Sequence, residues 1–449
     1  MGRKYTNRRY LDALKERVVI FDGANGTNIQ AQNLDASAYG GEKYNGCIDY
    51  LVITYPQAVE KVHRSFLDVG ADVITTDTFR SNRITLAEYG LQDRVEEINR
   101  EAARLARRLA DEYTEKTGQE RFVAGSIGPS GKLPSMDDPE LSNIAFNELV
   151  DVFREQAKGL IEGGVDLLLI ETSQDILEVK AVIIGIHTAF DETGIYLPIQ
   201  AQVSLDTTGR MLLGTDITAV QTILEGMGID AIGLNCSTGP DYMREPIRLL
   251  GEQSTLPVSC IPNAGLPLNV DGQAVYPLEP EPFAETLSEY VKKFNVNIVG
   301  GCCGTRPEHI KLLVEQVRGH TPAPRPTSSP ARLASATQAL SMQQEPAPFL
   351  IGERLNTQGS KKFKNIILSE DFESILSIAN QQVDSGAHGL DLCVALTERA
   401  DEAFLMRRAI KTLAPSVRAP LVFDTTEPDV MEASLQTAPG RCLLNSVNL

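Results

Sequence analysis

The sequence predicts an α/β protein: a (β/α)8 barrel of the TIM type, then a linker, then a partial second β/α barrel. Three observations carry this. Short, continuously apolar runs recur through the first 320 residues, each closed by turn residues and followed by a segment of helical periodicity. Apolar strands that alternate with helices imply a parallel sheet covered on its outer face, and eight such units in about 300 residues fit a closed barrel better than an open doubly wound sheet. After a Pro- and Ser-rich stretch the same pattern restarts.

The predicted strands of the first barrel lie in "VVIFDG" (18–23), "DVITTDTF" (72–79), "RFVAGSIGP" (121–129) and "DLLLIETS" (166–173). They continue in "LPIQAQVSLD" (197–206), "DAIGLNCS" (230–237), "LPVSCIPNAG" (256–265) and "NIVGGCCG" (297–304). Amphipathic helices fall between them: Ile98, Ala102, Leu105 and Leu109 share one face, as do Phe146, Leu149, Phe153, Ala157 and Leu160. Residues 1–320 therefore form the first unit. Residues 321–348, rich in Pro, Ser, Ala and Gln, have little to bury and read as an extended linker.

In residues 349–449 strands are predicted at "PFLIGERLN" (348–356), "GLDLCV" (389–394), "PLVFDTT" (420–426) and "RCLLNSVN" (441–448), with a helix in 372–387. Four strands amount to half a barrel. This segment is expected to be a fragment, or to complete itself against another chain.

Composition narrows the function. A net charge of -18 argues against a nucleic-acid surface, which needs clustered Lys and Arg. No apolar run reaches the length that spans a bilayer, so no membrane role is expected, and the charged start of the chain does not read as a signal peptide. Seven cysteines without secretory features suggest reduced thiols and a cytoplasmic location.

The stretch "VNIVGGCCGT" (296–305) sets Cys302 beside Cys303 where a buried strand ends. Neighbouring cysteines pair with each other only through a strained ring, so a structural disulfide is not expected. A redox pair would take the form Cys-x-x-Cys at a helix start, which is absent. Cys236 ends the sixth strand, and in a closed barrel it can converge with the doublet at the end of the eighth. Three thiolates suit Zn²⁺, and three protein ligands with a fourth position open is a catalytic rather than a structural arrangement. A thiol substrate filling that position would be held as a thiolate. Cys47, Cys260, Cys393 and Cys442 read as small core residues. A non-catalytic zinc scaffold would need a fourth protein ligand, and none of the five histidines sits on a strand-end motif.

"GLNC" followed by "GGCCGT" resembles the zinc signature of the homocysteine S-methyltransferase family. It is accompanied in family order by "DGANGT" (22–27), "TTDTF" (75–79), "GSIGP" (125–129), "IETSQD" (170–175) and "PNAG" (262–265). The second segment, with "IGERLN", "VFDTTEPDVMEASL" and "LNSVN", resembles the start of a pterin-binding methyltransferase barrel. The resemblance implies that Cys236, Cys302 and Cys303 are zinc ligands with a catalytic role, and that Asp22 and Glu171 contact the amino-acid part of homocysteine. It also implies pterin contacts at Asp424 and Asn445, and at Asn356 and Asp391. Asp77 stands where the family more often shows Asn, and no role is assigned to it. The implied reaction is transfer of a methyl group from methylcobalamin to homocysteine, with 5-methyltetrahydrofolate as the source of the methyl group. No cobalamin-binding module is recognised in this chain. The alternative is a free-standing homocysteine methyltransferase that uses S-methylmethionine or betaine.

Overall fold

A computed structural model describes residues 4–270 and 273–446. The eight predicted strands are present as Val19–Ile20, Val73–Thr75, Phe122–Ile127, Leu167–Ser173, Ile199–Val203, Ala231–Asn235, Val258–Ile261 and Ile298–Val299. All are parallel, and each pairs with its neighbours in sequence; the first also pairs with the eighth. A bridge between Phe21 and Val73 joins the first strand to the second and closes the barrel. Closure leaves no sheet edge to protect.

Alternation along the strands sorts two cores. Val19, Phe21, Val73, Phe122, Ala124, Leu167 and Leu169 point inward and form the barrel interior. Ile20, Ile74, Val123, Leu168 and Ile170 point outward, under the helices. The sequence reading overlooked the helix Arg9–Glu16. Its Tyr10, Ala13 and Leu14 plug the N-terminal end of the barrel, and the Tyr10 hydroxyl donates to Gln200 Oε1 at 2.6 Å. The opposite end, where the strands finish, remains available for chemistry.

A helix of eight residues or more follows each strand, from Pro56–Asp68 after the first to Pro307–Val317 after the eighth. Their starts are written locally. Proline occupies the first turn of Pro56–Asp68, Pro240–Gln253, Pro280–Phe294 and Pro307–Val317, where its missing N–H costs nothing. Asp175 and Asp216 cap Ile176–Thr193 and Ile217–Leu224 by accepting from Leu177 N and Ala219 N.

The second sheet has four parallel strands in sequence order: Ile351–Asn356, Gly389–Cys393, Leu421–Asp424 and Leu443–Asn445. Its own core gathers Leu355, Phe363, Ile375, Leu390, Leu405 and Phe423. Of the predicted last strand, Val447 and Asn448 lie outside the described residues.

Composition predicts an extended connection over 321–348, but this segment is docked. It folds an antiparallel hairpin, Arg332–Ala334 with Ala339–Ser341, and Ala334 joins the core of the first barrel. The Arg325 guanidinium donates to the carbonyls of Leu250, Ser254 and Asn295. Ala334 also bridges to Arg441 of the second unit, its N–H meeting the Arg441 carbonyl at 3.0 Å. Beside it the buried Lys180 donates to the Ala438 carbonyl at 2.7 Å. A few backbone groups that need partners thus tie down a segment with almost nothing apolar to bury.

Candidate metal centre and substrate cavity

Cys236 follows the sixth strand, and Cys302 and Cys303 follow the eighth; one ligand atom from each lies within 4.8 Å of the others. The turn after the intervening seventh strand stitches these ends together. Cys236 N–H donates to the Ile261 carbonyl, Cys302 N–H to the Pro262 carbonyl, and Ala264 N–H to the Cys303 carbonyl. Cys236 and Ser237 both adopt left-handed backbone, with φ of 57° and 62°. For two successive residues with side chains that is a strained arrangement, of the kind that clusters at functional sites.

Gly301 is needed for space, because a Cβ there would sit 2.4 Å from Thr305 Oγ1. The left-handed glycine is Gly304, after the doublet, with φ of +78°.

The three sulfurs share protons unequally. Hydrogen bonds from Cys236 and then Cys302 hold the Cys303 thiol far below its ordinary value, against the effect of burial. Hydrogen bonding to Cys236 and Cys303, with burial, pushes Cys302 up.

A cavity of about 540 Å³ opens over this cluster at the C-terminal mouth of the barrel, lined also by Asp22, Thr75, Asp77, Ser126, Glu171 and Thr172. Asp22 accepts from Thr75 N and Oγ1, both at 2.8 Å. Burial pushes its carboxyl up to about 8; the Thr75 bonds oppose this and nearby Glu171 adds to it. Glu171 accepts from Ser126 Oγ at 2.5 Å. Burial pushes it up to about 7, against the Ser126 bond, and the charge on Cys303 contributes. Asp77 is buried, is raised by burial and by Asp49, and leaves Oδ2 without a partner among the described residues.

Three thiols and three carboxyls therefore surround one space, each carboxyl resisting ionisation for want of a positive charge. Such a donor set fits a soft divalent cation at the sulfurs and a second cationic group at the carboxylates.

Asn235 was not singled out as a site residue, although it stands next to Cys236 in the "GLNC" stretch. It donates to Thr172 Oγ1 at 2.8 Å and to Glu171 Oε2 at 3.3 Å, and its Oδ1 accepts from Thr172 N at 2.7 Å. It thus couples the end of the fourth strand to that of the sixth. The two-residue period of the strand was the available signal, since it points Asn235 inward.

In the second unit, the four polar residues singled out from the sequence meet at the strand ends. Asn356 Nδ2 donates to Asp391 Oδ2 and to Asp424 Oδ2, each at 3.0 Å, and Asn445 Nδ2 donates to Asp424 Oδ1 at 3.1 Å.

Fold and site together define a thiol-centred (β/α)8 barrel with a second β/α unit docked on it. The sequence pattern of the homocysteine S-methyltransferase family matches residues 19–317, and that of pterin binding enzymes matches residues 352–449. The chain belongs to the homocysteine S-methyltransferase family. It is 40% identical over 438 residues to a methionine synthase of Mycobacterium tuberculosis, across 98% of this chain and 36% of that protein. A methionine synthase of Mycobacterium leprae is 38% identical over 443 residues, with the same coverage. The chain thus spans little more than a third of the length of these relatives. Among solved structures, the metallated form of the homocysteine methyltransferase MmuM from Escherichia coli superposes with a TM-score of 0.54 at 21% identity. That match covers 68% of this chain and 98% of the other, and it is a likeness of fold.

Proposed function

We propose that the chain is the homocysteine-activating part of a methionine synthase, with Cys236, Cys302 and Cys303 as the ligands of a catalytic Zn²⁺. The observation that carries this reading is the convergence of the three sulfurs beneath a cavity walled by Asp22 and Glu171. A zinc ion held there would keep a substrate thiol as a thiolate at neutral pH, ready to accept a methyl group.

The protein's own residues supply position and charge. Asp22 and Glu171 take the ammonium of homocysteine. As the cation arrives, both carboxyls lose their reason to stay protonated and release protons. Asn235 and Ser126 hold Glu171 in place. The cavity walls hold the substrate in place, so that its sulfur meets the methyl donor as a positioned reactant. The methyl donor is methylcobalamin carried by a module outside this chain, and the product is methionine. In the second unit, Asp424, Asn445, Asn356 and Asp391 contact the pterin of 5-methyltetrahydrofolate, the source of the next methyl group. The reading places the protein in the cytoplasm, where free thiols stay reduced. No helix among the described residues is long and apolar enough to cross a membrane.

X-ray absorption on the zinc-loaded chain tests the proposal. The resting site should show three sulfurs and one light atom, and homocysteine should replace the light atom with a fourth sulfur. A coordination sphere unchanged by homocysteine would rule the reading out. Methionine formed faster from betaine or S-methylmethionine than from methylcobalamin would replace the donor.

A further inference from the structure

With Asp49 included, four side-chain carboxyls line the cavity, and the hydrogen bonds they accept divide them. Asp22 accepts from Thr75 N and Oγ1, and Glu171 accepts from Ser126 Oγ and Asn235 Nδ2. Asp49 accepts from Arg80 N at 2.8 Å and from Ser81 Oγ at 2.9 Å. Asp77 is different. It is only 6% exposed, and its Oδ2 is buried with no partner among the described residues.

Donors directed at a carboxylate favour its charged form, and a buried carboxylate oxygen without one bears the full cost of lost hydration. Asp22, Asp49 and Glu171 are prepared for charge, whereas Asp77 is built to stay neutral. The ionisable groups that act on it are Asp49, Cys47 and Tyr39, and none of them is a cation. A neutral carboxyl has one O–H to place. On Oδ2 that hydrogen would be shut in the wall without an acceptor. On Oδ1 it leaves Oδ2 as an unpaired carbonyl oxygen, the less costly of the two. Oδ1 is also the oxygen left to meet a ligand, so Asp77 offers the cavity a hydrogen-bond donor.

We propose that Asp77 is a specificity-determining residue: a neutral carboxylic acid that donates from Oδ1 to the carboxylate of homocysteine. The proposal rests on the homocysteine reading given above. There the sulfur belongs to the metal and the ammonium to Asp22 and Glu171, which leaves the carboxylate to find donors. Arg80, the cation that lines the cavity, gives its Nη2 to Glu88 at 2.6 Å. Asn25 gives its Nδ2 to the Thr75 carbonyl at 2.9 Å. An O–H donated to a carboxylate is a strong, short hydrogen bond. It needs no cation and adds no charge to a site already rich in carboxyls. The proton stays on Asp77, and the contact separates amino acids that carry a thiol from simple aminothiols.

The test compares two ligands of the zinc-loaded chain by calorimetry: homocysteine, and 3-aminopropanethiol, which is homocysteine without its carboxylate. Asp77→Ala should weaken homocysteine about 10–100-fold, the change expected for losing a hydrogen bond to a charged group, and leave the aminothiol unaffected. Asp77→Asn restores a donor at the same reach and should recover most of the loss. Difference infrared spectroscopy of the homocysteine complex at neutral pH should show the stretch of a protonated carboxyl, which Asp77→Asn removes. The Asn variant and the infrared band decide the matter if the Ala variant does not fold. An Asn variant that binds homocysteine at least tenfold more weakly than wild type, or that leaves the band in place, overturns the neutral-donor role. Equal weakening of both thiols by Asp77→Ala overturns the assignment to the carboxylate. A wild-type chain that holds zinc and binds neither thiol overturns the homocysteine reading and this proposal with it.

Discussion

The sulfurs of Cys236 and Cys303 lie 3.7 Å apart across 67 positions of sequence. That is contact, yet far beyond the roughly 2.05 Å of a disulfide bond. The separation suits two ligands of one ion, since two zinc–sulfur bonds of about 2.3 Å at a tetrahedral angle span nearly this distance.

Replacing Cys302 by Ser should therefore abolish retention of zinc, measured by competition with a chromophoric chelator. The loss should exceed the roughly 10–100-fold seen when a group that merely supports a ligand is removed. Circular dichroism should change little, because Cys302 only borders the barrel interior, which is built from other residues. Cys260→Ser, in the outer core, should leave zinc affinity unchanged and lower stability instead.

Glu171→Gln keeps the size of the side chain and removes its charge. Homocysteine affinity of the zinc-loaded chain should fall about 10–100-fold, as expected for loss of a charged hydrogen bond. Calorimetry measures this, and zinc affinity should move far less. Equal weakening of both would mean that Glu171 supports the sulfurs and not the substrate.

Glu178 gives a stability prediction with a definite sign. It is fully buried and accepts from Ser130 N at 2.9 Å. Burial pushes its carboxyl from 4.5 up to about 7, with the Ser130 bonds opposing. Folding then favours the protonated form, so stability is full below about 4.5 and declines as pH rises to about 7. Glu178→Gln should remove this slope. Relative to wild type, the variant should gain up to about 3 kcal/mol between pH 4.5 and 8, read from denaturant midpoints across pH.

Gly440 sits against the connecting hairpin, where an added Cβ would lie 2.1 Å from the Ala334 carbonyl oxygen. Gly440→Ala should force the hairpin and the second sheet apart at a cost of about 1–3 kcal/mol. Hydrogen exchange should quicken in 332–341 and 421–445 while the first barrel stays protected.

How much of this was legible beforehand depended on how far the signal lay along the chain. The barrel strands could be read because burial on both faces imposes continuous apolar runs such as "DLLLIETS". The thiol cluster could be read because the barrel carries strand ends to a common mouth, so a position in the pattern becomes a position in space. The helix Arg9–Glu16 was missed because only a few of its residues are buried, and its charged face dominates its composition. Docking of the 321–348 segment was missed because backbone groups and Arg325 hold it, and hydrogen bonding of this kind leaves no periodic trace.

The strap between Ala334 and Arg441, with Lys180 held on Ala438, has a consequence for how the seam between the two sheets responds to change. Of the four groups that fasten it, the Ala334 N–H, the Arg441 and Ala438 carbonyls and the Lys180 ammonium, three belong to the main chain. Such a seam is indifferent to most side-chain substitutions and sensitive to anything that shifts the backbone.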